Sequence, residues 1–271
     1  MIYAKVIADS VTGDGKRLTT MEVQMHRFVL AEFNTHRMFS RNSASSRAIP
    51  IEKQIAKILS SPAYPVEWGR NKSGMQAGEP LDPKGSRKAR KIWKKASKSA
   101  IKYCRELEKI GVHKQIANRI LEPYMWHTVI VTSTDWENFF AQRCSPLAQP
   151  EIRAVANAMH DAYKRSVPYL LVTGEYHLPY IGTSDNYLSD EKKIRVSIAR
   201  CARVSYLNHN NEFSIEKDLL LYQRLLTADP PHWSPFEHVA TPMAPGLNDA
   251  GNFDGFAQLR HNVEIIGNDL S

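Results

Sequence analysis

Asn34-Thr35-His36-Arg37-Met38-Phe39-Ser40-Arg41-Asn42-Ser43-Ala44-Ser45-Ser46-Arg47 is the stretch on which the reading of this chain turns. Fourteen positions hold three arginines, one histidine, two asparagines and four serines, and an apolar lead-in, Phe28-Val29-Leu30-Ala31-Glu32-Phe33, precedes them. A surface loop does not need so many oriented donors. A site for a phosphate dianion beside a polar heterocycle does, because every buried acceptor must find a donor. An N-capped loop with solvated arginines is the competing reading, and composition alone does not separate the two.

Outward from that stretch, the N-terminal side carries two strands, over residues 2–8 and from Leu18 to Met25. The turn-prone Thr12-Gly13-Asp14-Gly15 between them predicts a hairpin. A helix is expected to run from about His26 into the donor-rich segment. On the C-terminal side, Ile51, Ile55, Ile58 and Leu59 share one face of a helix that Pro62 and Pro65 end. Residues 60–86 are rich in Gly, Pro and Ser, hold Trp68 and Met75, and read as a loop or lid. A basic helix over 87–110 follows, with Ile92, Ala96, Ala100, Tyr103 and Leu107 at helical spacing, and Gly111 ends it. Lys114 to Leu121 forms a short helix. Val129-Ile130-Val131 fits either a strand or the start of a buried helix. Pro150 opens a helix whose stripe is Ile152, Val155, Ala156, Met159 and Tyr163. Residues 174–190 read as loop, Ile194 to Tyr206 as a buried strand, and Leu219 to Leu226 as a helix before Pro230-Pro231.

At 271 residues, 42% hydrophobic and 24% charged, the chain has the composition of a globular protein. Cys104, Cys144 and Cys201 stand far apart, without a CxxC pair, so structural zinc and disulfides are not indicated and a reducing, cytoplasmic location is expected. The N-terminus has no signal-peptide pattern, and no apolar run is long enough to span a membrane. A formal charge of +8 admits nucleotides, nucleic acid or other polyanions without choosing among them.

Three further polar clusters remain once the core is assigned: Asn138-Phe139-Phe140-Ala141-Gln142-Arg143 with Ala148-Gln149-Pro150-Glu151-Ile152-Arg153; Arg119 in Asn118-Arg119-Ile120-Leu121; and His232-Trp233-Ser234-Pro235-Phe236-Glu237-His238 with Ala202-Arg203-Val204-Ser205-Tyr206. No GxSxG, HExxH or P-loop occurs. His232, Glu237 and His238 match no familiar ligand spacing, so no metal is expected. Many arginines and few acid–base pairs point to a cofactor that does the bond chemistry while the protein supplies position and charge.

Together the clusters resemble the flavin-dependent thymidylate synthases. That family's signature is Arg-His-Arg, seven residues, Ser, and an Arg two places on; Thr35-His36-Arg37, Ser45 and Arg47 match it except at the first arginine. The Asn-Phe-Phe…Arg…Ala-Gln…Glu-Ile-Arg block, the Arg-Ile-Leu block, the Ala-Arg-Val-Ser-Tyr strand and the His-x-Ser-Pro-Phe-Glu-His segment are all present. The last two precede the Arg-His-Arg block in the usual member and follow it here. The order resembles a circular permutation, with the family's N-terminal part at residues 192–245 of one domain spanning 1–271.

The resemblance implies an α/β (α+β) fold, a central sheet with flanking helices, and a homotetramer whose sites draw on several chains. It implies transfer of a methylene group from methylenetetrahydrofolate to C5 of dUMP to give dTMP, with FAD, reduced by NADPH, delivering hydride. Arg47 and Arg119 are then the phosphate arginines, with Ser45 and Ser43 beside the nucleotide. Arg143, with Ser45, is the catalytic assignment, stabilising charge that builds at the O4 and N3 side of the ring. His36, Arg37 and Met38 face flavin or folate, and Asn138, His232, Ser234 and Ser205 hold FAD.

Plainer roles exist for several of these. Arg143 and Arg119 have Glu137 and Glu122 as possible ion-pair partners, Ser45 and Asn138 suit caps, and Trp68 and Met75 suit loop packing as well as a folate cover. His238 is assigned to structure. Thr35 for Arg, and Ser43 for a frequent Glu, keep open hydroxymethylation of dUMP or modification of dCMP. The basic helix keeps open a nucleic-acid-binding protein without catalysis. Its apolar stripe reads as packing and its charges as a solvated face, so nucleic acid is not the expected partner.

Overall fold

The computed structural model describes residues 1–204, 214–243 and 251–261. Its centre is a five-stranded sheet in the order β3-β4-β2-β1-β5. β1 (Tyr3–Val11) and β2 (Arg17–His26) form the expected hairpin. Gly15 supplies the positive φ (86°) that closes its turn, and Thr12 N–H donates to Lys16 O at 2.9 Å. β4 (Trp126–Ser133) resolves the ambiguity at Val129-Ile130-Val131: it is a buried central strand, antiparallel to β2 and to the edge strand β3 (Ser40–Ser43). β5 (Tyr169–Leu170) lies parallel to β1.

Period-two alternation assigns the two faces. Met21, Val23, Met25, Val129 and Val131 meet Ile152, Val155, Ala156 and Met159 of α6 (Pro150–Arg165) in one core. On the other face, Ile130 packs with Cys201 and Val204. A buried polar chain crosses that same face: Ser10 Oγ bonds His177 Nδ1 (2.8 Å), His177 Nε2 bonds Thr20 Oγ1 (2.7 Å), Thr20 bonds Thr132 (2.7 Å), and Thr132 bonds His238 Nδ1 (2.8 Å). His238 is thus structural.

The helix expected to run from His26 into the donor-rich segment stops early. A 3-10 turn at Arg27–Val29 leads to α1 (Leu30–Phe33), and the donor-rich residues form a turn and then β3. α2 (Ile51–Ser60) packs Ile51, Ile55 and Ile58 against Ile101 and Cys104 of α3 (Pro83–Lys109) and Leu121. α3 begins inside the expected loop because Asp82 caps it, accepting from Gly85 N–H at 2.7 Å, and Pro83 takes the first turn. α4 (Lys114–Ala117) continues into a 3-10 turn, Asn118–Tyr124. α5 (Glu137–Arg143) precedes α6.

The strand expected over Ile194 to Tyr206 is instead α7 (Asp190–Arg203), with residues 205–206 outside the described region. Ser189 accepts from Lys192 N–H as its cap, and Asp190 and Glu191 suit its positive end. The helix also delivers Arg200 to a buried ion-pair network. Arg200 bonds both oxygens of Asp185 (2.7 and 2.8 Å) and one of Asp218, while Arg203 takes the other Asp218 oxygen. Asp218 lies on α8 (Ile215–Leu226). β6 (Ala240–Pro242) pairs with β7 (Phe256–Gln258). Among the described residues no helix is long and apolar enough to cross a membrane.

Candidate functional site

The donor-rich turn rests on an aromatic floor. Phe33 and Phe39 pack at 5.5 Å between centroids, Phe39 and Phe139 at 5.1 Å, and the His36 ring stands edge-on to Phe139 at 4.9 Å. Arg41 ties the turn from the other side, donating through Nη1 to the carbonyls of Asn34 and His36, both at 3.1 Å. Arg143, at the end of α5, then reaches back. Its Nε donates to His36 Nε2 at 2.9 Å, and its Nη2 donates to Thr35 Oγ1 at 3.1 Å. A guanidinium only donates, so His36 Nε2 presents its lone pair and the ring proton sits on Nδ1. Burial, then the charges of Arg143 and Arg41, lower the His36 pKa below its ordinary value. Arg143 therefore pairs with His36 rather than with Glu137.

Three clefts surround this turn. In the first, of about 470 Å³, His36, Arg37 and Met38 meet Asn138 and Gln142 above Phe39 and Phe139. Four residues assigned from sequence to the cofactor thus share one wall. The exposed Arg37 guanidinium and the two side-chain amides are donors suited to the carbonyls and diphosphate of a flavin dinucleotide, and the aromatic floor suits its ring. This donor set fits FAD.

The second cleft, of about 390 Å³, joins the two ends of the chain: Ser45 and Arg47 face His232 and Ser234, with Asn42 at the base. Asn42 is the hinge of this arrangement. Its Nδ2 donates to Cys201 O at 2.8 Å, and its Oδ1 accepts from Ser234 Oγ at 3.5 Å. His232 is positioned by its own N–H, which donates to Leu225 O at 3.0 Å. The exposed Arg47 forms no ion pair among the described residues, so its guanidinium is open to an anion.

The third cleft, of about 840 Å³, lies on the far side of Arg143, between the 61–82 loop and the start of α6. Glu151 pins that loop: it accepts from Val66 N–H at 2.8 Å and from Gln149 Nε2 at 2.9 Å. Trp68 packs edge-on against Trp93, whose Nε1 donates to Ala63 O, while Met75 is fully exposed at the rim. Glu32 also lines this cleft, and its Oε2 is buried with no hydrogen-bond partner among the described residues. Sequence reasoning passed over Glu32; the available signal was a carboxylate on α1, one turn before Thr35.

Other sequence candidates lie elsewhere. Arg119 is exposed and bonds Glu122 at 2.8 Å; Glu122 also takes Arg27, which bonds His127. Ser43 pairs with Val129 at the end of β3 and lines none of the three clefts. Ser205 lies outside the described residues. Arg47 and His232 share a cleft, whereas Arg143 opens into another.

The family profile described as "Thymidylate synthase complementing protein" matches residues 18–169, which is more than half of the chain, and the chain belongs to that family. The match runs from β2 to β5 and takes in the donor-rich turn, Arg119 and Arg143. No curated protein matches the chain. Among solved structures, the chain is similar to a UMP/dUMP methylase, PolB from Streptomyces cacaoi, whose crystal structure is bound with 5-Br dUMP. The TM-score is 0.47 and the identity 14%, over 61% of this chain and 90% of that one.

Proposed function

We propose that this protein methylates dUMP at C5 to give dTMP, with methylenetetrahydrofolate as carbon donor, FAD as cofactor and NADPH as reductant. Family membership supports the reaction class. The observation that carries the residue assignment is the Arg143 guanidinium, fixed by His36 and Thr35 at the edge of a cleft that also holds the unpartnered Glu32 oxygen. FAD, when bound, supplies the hydride that turns the transferred methylene into a methyl group.

The chain's own residues bind, orient and polarise. A pyrimidine whose C5 becomes nucleophilic gathers negative charge at O4 and N3, and a preorganised guanidinium lowers the energy of that charge. Arg143, held by His36 and Thr35, takes this role in our reading. Arg47 and Ser45 take the phosphate in the second cleft; Ser43 and Arg119, which line none of the three clefts, have no part in this reading. His36, Arg37, Met38 and Asn138 hold the flavin, with His232, Ser234 and Ser205 on its nucleotide part. Arg47 and Arg143 open into separate clefts of one chain, so a homotetramer that brings Arg47 of one subunit opposite Arg143 of another completes the site. The segment 192–245 is the family's N-terminal part, permuted to follow the rest.

The test is the visible spectrum of purified protein before and after dUMP, followed by product mass. Flavin bands that shift on adding dUMP, and a product heavier by one CH2, are expected. Colourless protein that does not bind dUMP would overturn the reading. Thr35 stands where Arg143 needs a neutral acceptor, which is the observation favouring a changed one-carbon outcome. A hydroxymethylated product, or turnover of dCMP alone, would select that alternative.

A further inference from the structure

The cations of α3 occupy one arc. At 100° per residue, Lys84, Arg87, Lys88 and Lys91 fall within about 120° of the helix circumference, and Lys94, Lys95 and Lys98 continue the same stripe. Lys102 and Arg105 extend it, but they meet Glu106 and Glu52. The seven residues from Lys84 to Lys98 form no ion pair among the described residues, and no acid interrupts the sequence from Lys84 to Arg105. The far face and one flank are anchored: Cys104 and Ile101 are in the core, Trp93 bonds Ala63 O, and Arg90 lies on the Tyr64 ring.

Folding does not account for such a stripe. Like charges at i,i+4, as in Lys84/Lys88, Arg87/Lys91, Lys91/Lys95 and Lys94/Lys98, each destabilise a helix. The three clefts do not use it either, since none of these cations lines them. The sequence suggested a solvated face; what the fold adds is that none of these seven cations finds an ion-pair partner among the described residues.

We propose that this stripe is a docking surface for the phosphodiester backbone of double-stranded nucleic acid. From Lys84 to Lys98 it is a rigid rod of one sign about 21 Å long, and duplex DNA offers phosphates of the opposite sign at comparable density along its axis. An anionic membrane fits less well. A helix that lies in a bilayer surface buries a continuous apolar face in lipid, whereas Ile101, Cys104 and Leu107 of α3 are packed in protein and only Ile92 and Tyr103 stand exposed beside the stripe.

The test is anisotropy of a labelled mixed-sequence 20-base-pair duplex, titrated with the full-length protein at several salt concentrations. If all seven cations meet phosphates, log Kd rises with log salt at a slope of about 6. The variant Lys91→Gln/Lys94→Gln/Lys95→Gln/Lys98→Gln, whose side chains are all exposed, should bind at least about tenfold more weakly and lower the slope by about 3.6. Its flavin and dUMP binding should be unchanged, and saturating dUMP should not compete with the duplex. Equal binding by parent and variant, competition by dUMP, no duplex binding at low salt, or binding to phosphatidylserine vesicles in preference to the duplex would each overturn the proposal.

Discussion

Arg143 Nε donates to His36 Nε2 at 2.9 Å, and this bond couples two residues that the sequence assigns to different ligands, one to the nucleotide and one to the flavin. Arg143→Ala removes the charge proposed to stabilise the ring and also frees His36. Turnover should fall at least about 100-fold, the range seen when an oxyanion donor is lost, while the half-buried position keeps the fold intact. Arg143→Lys keeps the charge but has no Nε–H to give His36, so it should fail to restore turnover. Near-parental turnover in either variant removes Arg143 from its assigned role; circular dichroism checks the fold.

Arg47 is exposed and unpaired among the described residues, so Arg47→Ala should leave the melting temperature almost unchanged. Loss of a charge-assisted bond worth about 1.5–3 kcal/mol should weaken dUMP binding roughly tenfold or more. Titration calorimetry reads this directly, and an unaltered dissociation constant would show that the phosphate sits elsewhere.

Acid should destabilise the protein through its buried histidines. Burial holds the pKa of His177, His238 and His127 down to about 3, with His177 adding to the effect at His238 and Arg27 adding to it at His127. The folded state therefore keeps these rings neutral while the unfolded chain protonates them near 6.5. Their stabilising contribution is complete above that value and is lost progressively as pH falls toward 3. The melting temperature should decline from pH 7 to pH 4, and the double variant His177→Gln/His238→Gln should show a shallower decline. An equally steep decline would assign the acid lability to carboxylates such as Asp185, whose pKa is lowered chiefly by its bonds to Arg200.

Asp218 is fully buried between Arg200 and Arg203. Removing it leaves buried cationic groups short of a partner, a situation that costs about 3–5 kcal/mol. Asp218→Ala should lower the urea midpoint accordingly. A loss below about 1 kcal/mol would mean that water satisfies the two arginines.

Local signals made much of the architecture readable. The hairpin is announced by Thr12-Gly13-Asp14-Gly15, and α2, α3, α6 and α8 by apolar residues at helical spacing. α7 departs from the expected strand for a physical reason. Ile194, Val196 and Ile198 alternate as a strand does, yet Ser189 caps a helix whose first turn Asp190 and Glu191 suit. What decides the matter is tertiary: Arg200 must reach Asp185 and Asp218 together, which no periodicity reveals. In the site, the residue types of the donor-rich stretch were legible; that Ser45 and Arg47, expected at the nucleotide, share one cleft with His232 and Ser234, expected at FAD, was not. The Arg143–His36 bond and the open Glu32 oxygen were not, because both depend on where α5 meets α1 in space.

β3 pairs with β4 on one side only, and its other margin is met by the late part of the chain, through Asn42 with Ser234 and Ser40 with Gln258 (2.7 Å). A bare strand margin is a template for intermolecular β-pairing. The late segment is therefore a guard against clumping as well as a wall of the second cleft. A chain cut before α7 should precipitate or oligomerise on its own, and adding the missing segment in trans should return it to solution.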